Sequence, residues 1–449
     1  MTFDDILKKY SNLRIGFVGV GVSNTPIIKL FAENKIDVTV RDLKQLDNAL
    51  YDELYALGCK ILTGDSYLAN IDEDMLFLSP AIKLLPELLA SQNRGVVLTG
   101  ELPEFFSFCN CKTICITGSD GKTTTTTLTA KILEAEGKKV HLGGNIGKNL
   151  FMELPNITPD DFVVAEVSSF QLMKLHFSPD VAVVTNVSPN HLDWHTDMDE
   201  YVEAKIRIFK FQKKNSVLVL NYDNDITRDF VKEAPGKTVF FSRFNIKADY
   251  FYDGRYIVKN GRQILDCKDM LLPGLYNREN LMAAIAATEM YAKPASASVV
   301  ANSFPGVEHR CEFVREIGGV RYYNSTIDSS PTRTKAAIES FSQPLVVIAG
   351  GYDKNIPVEI LGDVFKKHVH TAILMGHTAN KLEKMLTDCD YNGTVIKVSD
   401  MESAVKAAHE AAKAGDCVIL SPAASSFDLF KNFAERGNIY KNAVNALKG

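Results

Sequence analysis

Three segments of this chain share one order of residues, and that order constrains the fold more than any other feature. Arg14 to Asn34 reads RIGFVGVGVSNTPIIKLFAEN, Ile114 to Leu133 reads ICITGSDGKTTTTTLTAKIL, and Pro344 to Leu361 reads PLVVIAGGYDKNIPVEIL. Each opens with an apolar, β-branched run, turns at glycine and continues with helix-like spacing. Strands that are apolar on both faces must be covered on both faces, which is the situation of a parallel sheet between helices. A chain of 449 residues has room for roughly three domains at about 150 residues each. The expected fold class is α/β with three domains, bounded at 1–111, 112–306 and 307–449. CNCK, just ahead of the strand at Thr113, marks the first junction; SFPGVEHRCEF (Ser303–Phe313), with Pro305 and Gly306, marks the second. Within the middle part, the Asp253-Gly254 and Asn260-Gly261 pairs predict hairpin turns. NLMAAIAATEMYA, which follows, predicts a helix.

Composition removes several function classes. Hydrophobic residues make up 46% and charged residues 23%, with a net charge of −5. That balance offers no basic face for nucleic acid, so the only phosphorylated ligands expected are small ones. The opening MTFDDILKKYSNLRIGF has no apolar h-region, and no apolar run approaches the roughly 18 residues of a membrane span. The expectation is a cytoplasmic monomer without membrane or nucleic-acid partners. Eight cysteines scattered over a long chain fit reduced thiols. CNCKTIC lacks the second pair that a zinc site needs, so Cys109, Cys111 and Cys115 read as non-ligands.

The central segment carries the strongest chemical signal. A Walker A loop reads G-x-x-x-x-G-K-[ST]; here Gly118 stands only three residues before Gly121, in GSDGKT. The context is still that of a phosphate site. A strand, a glycine turn and a helix N-terminus aim backbone N–H groups and the helix dipole at one point. Lys122 would bring a charge to the β- and γ-phosphates, and Thr123 would place a hydroxyl on Mg²⁺. Threonines at 123 to 127 are poor helix formers, and hydroxyls facing phosphate or metal would account for at least two of them. DFVVAEVSSFQL puts Glu166 at a strand's carboxyl end, where parallel sheets bind ligands. A carboxylate there is a hard ligand for Mg²⁺, though by itself Glu166 could equally be a surface acid. Taken alone, His191 reads as a structural or surface histidine, Lys205 as a solvated helix lysine, and Asn280 as a helix N-terminal amide.

These strings resemble the Mur ligase family. Its loop commonly reads G-[ST]-N-G-K-[ST]-[ST], with Asp120 here in place of asparagine, and its next motifs are E-x-S-S-F-Q-L and N-x-x-x-D-H-x-D. Asn190 replaces the aspartate before His191, and Asp193 matches the downstream one. The resemblance implies ATP held by Gly118, Ser119, Asp120, Gly121, Lys122, Thr123, Thr124, Asn280, Arg310 and Asp328. It implies Mg²⁺, two ions, held by Thr123, Glu166, His191 and Lys205, with Lys205 carbamylated. Lys122, Lys205, His191 and Arg310 become the catalytic residues. Asn324 to Thr334, NSTIDSSPTRT, departs from the family's N-D-S-x-A-T: Ser325 stands where a ribose-binding aspartate is expected, and Asp328 is the substitute.

The flanking segments extend the resemblance. GFVGVGVSN lacks the third glycine of a dinucleotide fingerprint, because Asn24 stands there. The N-terminal domain is then Rossmann-like and holds a uridine diphosphate through Val22, Ser23, Asp42, Leu43, Lys44 and Ser79, with Asn145 contributing. FLSPAI carries Ala81 where the family has glycine. The central domain is a P-loop ATPase-like parallel sheet with added β hairpins, and the C-terminal domain is again Rossmann-like. Lys354 in GGYDKNIP, with Ser426, Phe427 and Phe433 in LSPAASSFDLFKNFAERG, matches a D-glutamate pocket. The implied activity is ATP-driven addition of D-glutamate to UDP-N-acetylmuramoyl-L-alanine through an acyl phosphate, in peptidoglycan synthesis. A sister ligase with another amino acid, a dinucleotide-dependent oxidoreductase and a non-catalytic ATP-binding module are the alternatives.

Overall fold

The computed structural model describes residues 2–191 and 194–448. It is an α/β protein with three sheets. The chain divides into two compact units: the first runs to Ile264 and adds Asn280–Ala297, and the second comprises Leu265–Glu279 and the chain from Ser298 onward.

The first unit opens with five parallel strands: β1 (Arg14–Val18), β2 (Asp37–Asp42), β3 (Lys60–Thr63), β4 (Met75–Leu78) and β5 (Val97–Thr99). Their order, β3-β2-β1-β4-β5, is that of a Rossmann-like sheet. Gly19 ends β1 at a φ of 87°, and a Cβ there would meet the Cβ of Ser79 at 2.8 Å. Only glycine fits both the dihedral and the approach. Behind this sheet Arg41 and Glu73 form a fully buried pair, with Nε to Oε1 at 2.7 Å. The remaining guanidinium donors reach the carbonyls of Tyr67 and Ala69, so the buried charge is fully engaged.

The middle sheet has nine strands: β6 (Lys112–Thr117), β7 (Val140–Gly144), β8 (Phe162–Glu166), β9 (Val181–Val184), β10 (Val217–Asn221), β11 (Lys237–Ser242), β12 (Tyr250–Tyr252), β13 (Tyr256–Lys259) and β14 (Arg262–Asp266). Their order is β14-β13-β12-β11-β10-β9-β6-β8-β7. Strands β7 to β12 are parallel to their neighbours, and β13 turns antiparallel on β12. Asn260 and Gly261, at φ 47° and 77°, make the two-residue turn between β13 and β14 that the sequence predicts. The first two sheets share one apolar core. In it the ring of Phe31 lies 4.8 Å from Tyr10 of the first lobe and 6.1 Å from Phe151 of the second.

The second unit holds β15 (Glu312–Ile317), β16 (Val320–Asn324), β17 (Leu345–Ala349), β18 (Val369–Leu374), β19 (Thr394–Lys397) and β20 (Cys417–Leu420). Their order is β15-β16-β20-β17-β18-β19, parallel except for the edge strand β15. Separate apolar clusters cover its faces, as the continuous Val/Ile run of β17 requires. No helix among the described residues is long and apolar enough to cross a membrane. All eight cysteines are free thiols, with Cys115 buried and Cys109 and Cys111 half-buried.

Candidate active site

The loop after β6 is built by glycine and held from β9. Gly118 has a φ of 150°, and a Cβ there would sit 1.9 Å from Thr185 Oγ1. Gly121, at φ 78°, starts the helix Lys122–Ala135, and a Cβ there would meet Asn280 Oδ1 at 2.4 Å. Ser119 donates its N–H to the Asn186 carbonyl, and its hydroxyl contacts the Ser188 carbonyl and Tyr201 OH. Asp120 donates its N–H to Asn186 Oδ1 and accepts from Thr185 Oγ1 at 2.6 Å. The loop is therefore fixed before any ligand arrives. No side chain among the described residues caps the helix, which leaves its first turn to an anion. The threonines differ. Thr125 bonds Asn280 and Thr127 bonds the Thr123 carbonyl; Thr123 and Thr124 open the helix, and the Thr126 hydroxyl is buried without a partner among the described residues.

Two lysines meet on one oxygen. Lys122 Nζ donates to the carbonyls of Gly118 and Ser119, both at 2.9 Å. Lys205 Nζ, from the helix Met198–Lys210, donates to the same Gly118 carbonyl at 3.0 Å and lies 4.5 Å above the Tyr201 ring. The reading of Lys205 as a solvated lysine is thus corrected: it is 1% exposed. Burial first, and then the charge of Lys122, push its amine down to about 7.

Glu166 closes β8 beside the loop strand, opposite Ile116 of β6. It is 2% exposed, so it is no surface acid. Its Oε1 accepts from Asn145 Nδ2 at 2.8 Å, while Oε2 is buried without a partner among the described residues. An unpaired buried carboxylate oxygen is costly and suits a cation. Asn145, expected on the substrate, is bound to Glu166 through its side chain and also donates its N–H to the Glu166 carbonyl. His191 is exposed at φ 56°, with its ring 5.1 Å from Phe170; Asp193 lies outside the described residues. His195 was not singled out in the sequence. It is 2% exposed and joins Ser169 Oγ (2.9 Å) to Glu200 (3.3 Å). Burial lowers its pKa, against the opposing pull of the Glu200 carboxylate, and the charge of Lys205 adds to the lowering. Among the described residues no group of three or more His, Cys, Asp or Glu could hold a metal. Mg²⁺ commonly takes one or two carboxylates and fills its shell with water and phosphate oxygens. Glu166 and Thr123 fit an ion that arrives with a nucleotide.

At the first sheet, Asp42 accepts from the Val20 N–H (2.7 Å) and the Lys44 N–H (2.8 Å), closing the glycine turn. Val22 and Leu43 are largely exposed, at 92% and 58%, and Lys44 is exposed beside them. The Ser23 carbonyl accepts from Asn149. The Ser79 carbonyl accepts from Lys174 Nζ at 2.9 Å, and burial brings that amine to about 8. Trp194 Nε1 donates to the carbonyl of Ala81, which takes no positive φ; its methyl is accommodated without strain.

The second unit carries the other predicted residues. Arg310 is exposed on a tight turn between His309 and Cys311, which have φ of 65° and 46°. Asp328 is buried; its carboxylate accepts from Ser421 Oγ at 2.8 Å, and burial raises its pKa. Lys354 lines a cavity of about 10 Å³ with Ser329, Tyr352, Thr378 and Ser425. Ser426 is buried, whereas Phe427 and Phe433 are exposed, the latter edge-on to His309 at 5.9 Å. Arg436 is 1% exposed and donates to the carbonyls of Thr326, Ala424 and Ser425 and to Thr326 Oγ1. The structure brings Gly118–Thr124, Glu166, Asn145, Lys205 and Asn280 together in the first unit. Arg310, Asp328, Lys354, Ser426, Phe427 and Phe433 belong to the second.

A rigid G-x-x-G-K-T loop on a parallel sheet, with an unpaired buried carboxylate on the adjoining strand, defines a P-loop type nucleotide-dependent enzyme. Residues 116–288 match the Mur ligase middle domain, and residues 309–424 match the Mur ligase, glutamate ligase domain. The chain is 44% identical to the UDP-N-acetylmuramoylalanine--D-glutamate ligase of Ruminiclostridium cellulolyticum, over 98% of each chain. It is also 44% identical to the protein of the same name from Acetivibrio thermocellus, over 99% of each. Among solved structures, the UDP-N-acetylmuramate-alanine ligase MurC of Thermotoga maritima shares the fold: TM-score 0.60 at 17% identity, covering 97% of this chain and 100% of that one. The chain belongs to the Mur ligase family. Nothing in these matches supports the dinucleotide-dependent oxidoreductase.

Proposed function

We propose that the protein is an ATP-dependent ligase that joins D-glutamate to UDP-N-acetylmuramoyl-L-alanine in peptidoglycan synthesis. The observation that carries the chemistry is the meeting of Lys122 and Lys205 on the Gly118 carbonyl, in a loop whose neighbouring strand ends in a half-paired Glu166. The full-length likeness to relatives named for this reaction supports the substrates.

In this reading the γ-phosphoryl group passes to the terminal carboxylate of the sugar-linked alanine, giving an acyl phosphate and ADP. The amine of D-glutamate then attacks the acyl carbon, and the tetrahedral species collapses to amide and phosphate. Mg²⁺, as two ions, would supply charge neutralisation on the transferring group when bound. Thr123 and Glu166 would hold one ion, and His191 with carbamylated Lys205 would hold the other. The helix N-terminus and the residues Gly118 to Thr124 cradle the phosphates, with Asn280 bracing Gly121. Lys122 leaves its loop carbonyls for a phosphate oxygen. Lys205, partly neutral near pH 7, adds to CO₂ through nitrogen and releases one proton; the resulting anion turns its repulsion of Lys122 into attraction. Arg310 offsets charge on the γ-phosphoryl group, and Asp328 supports the loop near the nucleotide. Val22, Ser23, Asp42, Leu43, Lys44, Ser79 and Asn145 receive the uridine-diphosphate substrate. Lys354, Ser426, Phe427 and Phe433 receive D-glutamate. The division at 1–111, 112–306 and 307–449, a monomeric state and a cytoplasmic location complete the proposal; the three separate sheets support the division.

One assay tests it. Protein, ATP, Mg²⁺ and UDP-N-acetylmuramoyl-L-alanine are mixed with single amino acids, and phosphate release is followed. Release that depends on D-glutamate is the expected result. Release with L-alanine or diaminopimelate instead would move the protein to a sister ligase, and no release with any of them would refute the reading.

A further inference from the structure

We propose that Ser425 is a further amino-acid-binding residue, its hydroxyl sharing with the Lys354 ammonium one carboxylate of the incoming amino acid. The inference deepens the function proposed above and rests on it. Ser425 is 5% exposed, and its hydroxyl is buried without a hydrogen-bond partner among the described residues. Leaving a hydroxyl so is unfavourable. Its carbonyl, by contrast, is engaged twice: it accepts from the Tyr352 N–H at 2.9 Å and from Arg436 Nη1 at 3.1 Å. The residue cannot slide away. A Cβ on Gly351 would meet the Ser425 carbonyl at 2.3 Å, and two residues earlier Ala423 is left-handed at φ 59°. The side chain is thus fixed, dry and unused.

The space it faces is small, walled by Ile356, Val358 and Leu382 as well as by polar groups, and the Asp353 carboxylate that lines it is paired with Lys381 at 3.1 Å. Ser425 and Lys354 line the same cavity of about 10 Å³, close to what a single water needs. Thr378 also lines it, but its hydroxyl already accepts from the Gly351 N–H at 3.0 Å. The buried Arg436 guanidinium holds the Ser425 and Ala424 carbonyls in place and is itself balanced by the nearby Asp428 and Asp328 carboxylates. A fixed hydroxyl donor and an ammonium suit a carboxylate, whose two oxygens accept from them.

The test compares the parent with Ser425→Ala, Lys354→Ala and the double variant, read as kcat/KM for D-glutamate in the phosphate-release assay, with KM for ATP and Tm alongside. Ser425→Ala is expected to lower kcat/KM for D-glutamate about tenfold and to leave KM for ATP unchanged. Because the change removes an unpaired buried hydroxyl, Tm stays level or rises. In the Lys354→Ala background the same change should cost less than about threefold, as groups sharing one partner are not additive. An unchanged kcat/KM in Ser425→Ala, a loss that multiplies fully with that of Lys354→Ala, or a loss accompanied by lower Tm and weaker ATP use would each overturn the assignment. Failure of the parent to use D-glutamate is a separate result: it removes the functional reading and this inference with it.

Discussion

Replacing Lys205 with methionine keeps an unbranched side chain of similar volume and removes the amine. In the parent that amine is 1% exposed and is held near a second lysine, with its pKa at about 7 against an ordinary value of about 10.4. A fall of about 3.4 at 1.36 kcal/mol for each tenfold makes the charged form about 5 kcal/mol less favourable in the folded protein. The sign follows from proton counting. Between about pH 7 and pH 10.4 the unfolded chain holds a proton that the folded chain has lost, so parent stability rises with pH in that window, by up to about 1.4 kcal/mol per pH unit. Below pH 7 the penalty is present in full. Lys205→Met carries no such penalty at any pH. Its lost bond to the Gly118 carbonyl is a constant offset, so the slope is the informative quantity. Urea denaturation of both proteins in CO₂-free buffers at about pH 6.5, 7.5, 8.5 and 9.5 should show the variant's relative advantage shrinking by about 2–4 kcal/mol across the range. Added bicarbonate near pH 8 should stabilise the parent alone, since a carbamate binds only the folded site. A stability difference independent of pH, or one that grows with pH, would refute the buried amine.

Three further outcomes follow from the geometry. Glu166→Gln keeps an acceptor for Asn145 but removes the charge; phosphate release should fall at least about 100-fold with a raised Mg²⁺ requirement, while normal turnover would contradict the metal role. Gly118→Ala places a methyl 1.9 Å from Thr185 Oγ1 at a φ of 150°. Calorimetric titration should show nucleotide binding lost and Tm lowered, and undiminished binding would count against the rigid cradle. Glu73→Ala strands the Arg41 guanidinium, which is 0% exposed, and should cost about 3–5 kcal/mol in denaturant unfolding; a loss below about 1 kcal/mol would show that water reaches the site.

What the sequence made legible was local. The runs at Arg14, Ile114 and Leu345 became β1, the strand β6 and β17 because a continuous apolar run leaves few choices. Asn260-Gly261 declared its turn through two residues that tolerate positive φ. Lys122, Glu166 and Lys354 were visible as residue types at the ends of strands. What stayed hidden depends on distant partners. Lys205 looks like any helix lysine until Thr117, Gly118 and Tyr201 close over it. His195 has no local signal, because Ser169 supplies half its environment. Of the five threonines at 123 to 127 the sequence does not say which are free for phosphate; Thr125 bonds Asn280 and Thr127 its own helix, a distinction that only three-dimensional placement makes. Arg436 likewise gives no hint in the sequence that it ties Thr326 to Ser425.

The most direct measurement follows one oxygen atom. If the carboxylate of the sugar-linked alanine is activated as an acyl phosphate, one of its oxygens must leave with the phosphate. Substrate labelled with ¹⁸O in that carboxylate, turned over with ATP and D-glutamate, should release inorganic phosphate carrying a single ¹⁸O by mass spectrometry. Amide product accompanied by phosphate free of label would contradict the account, because the bond to phosphorus would then never have formed.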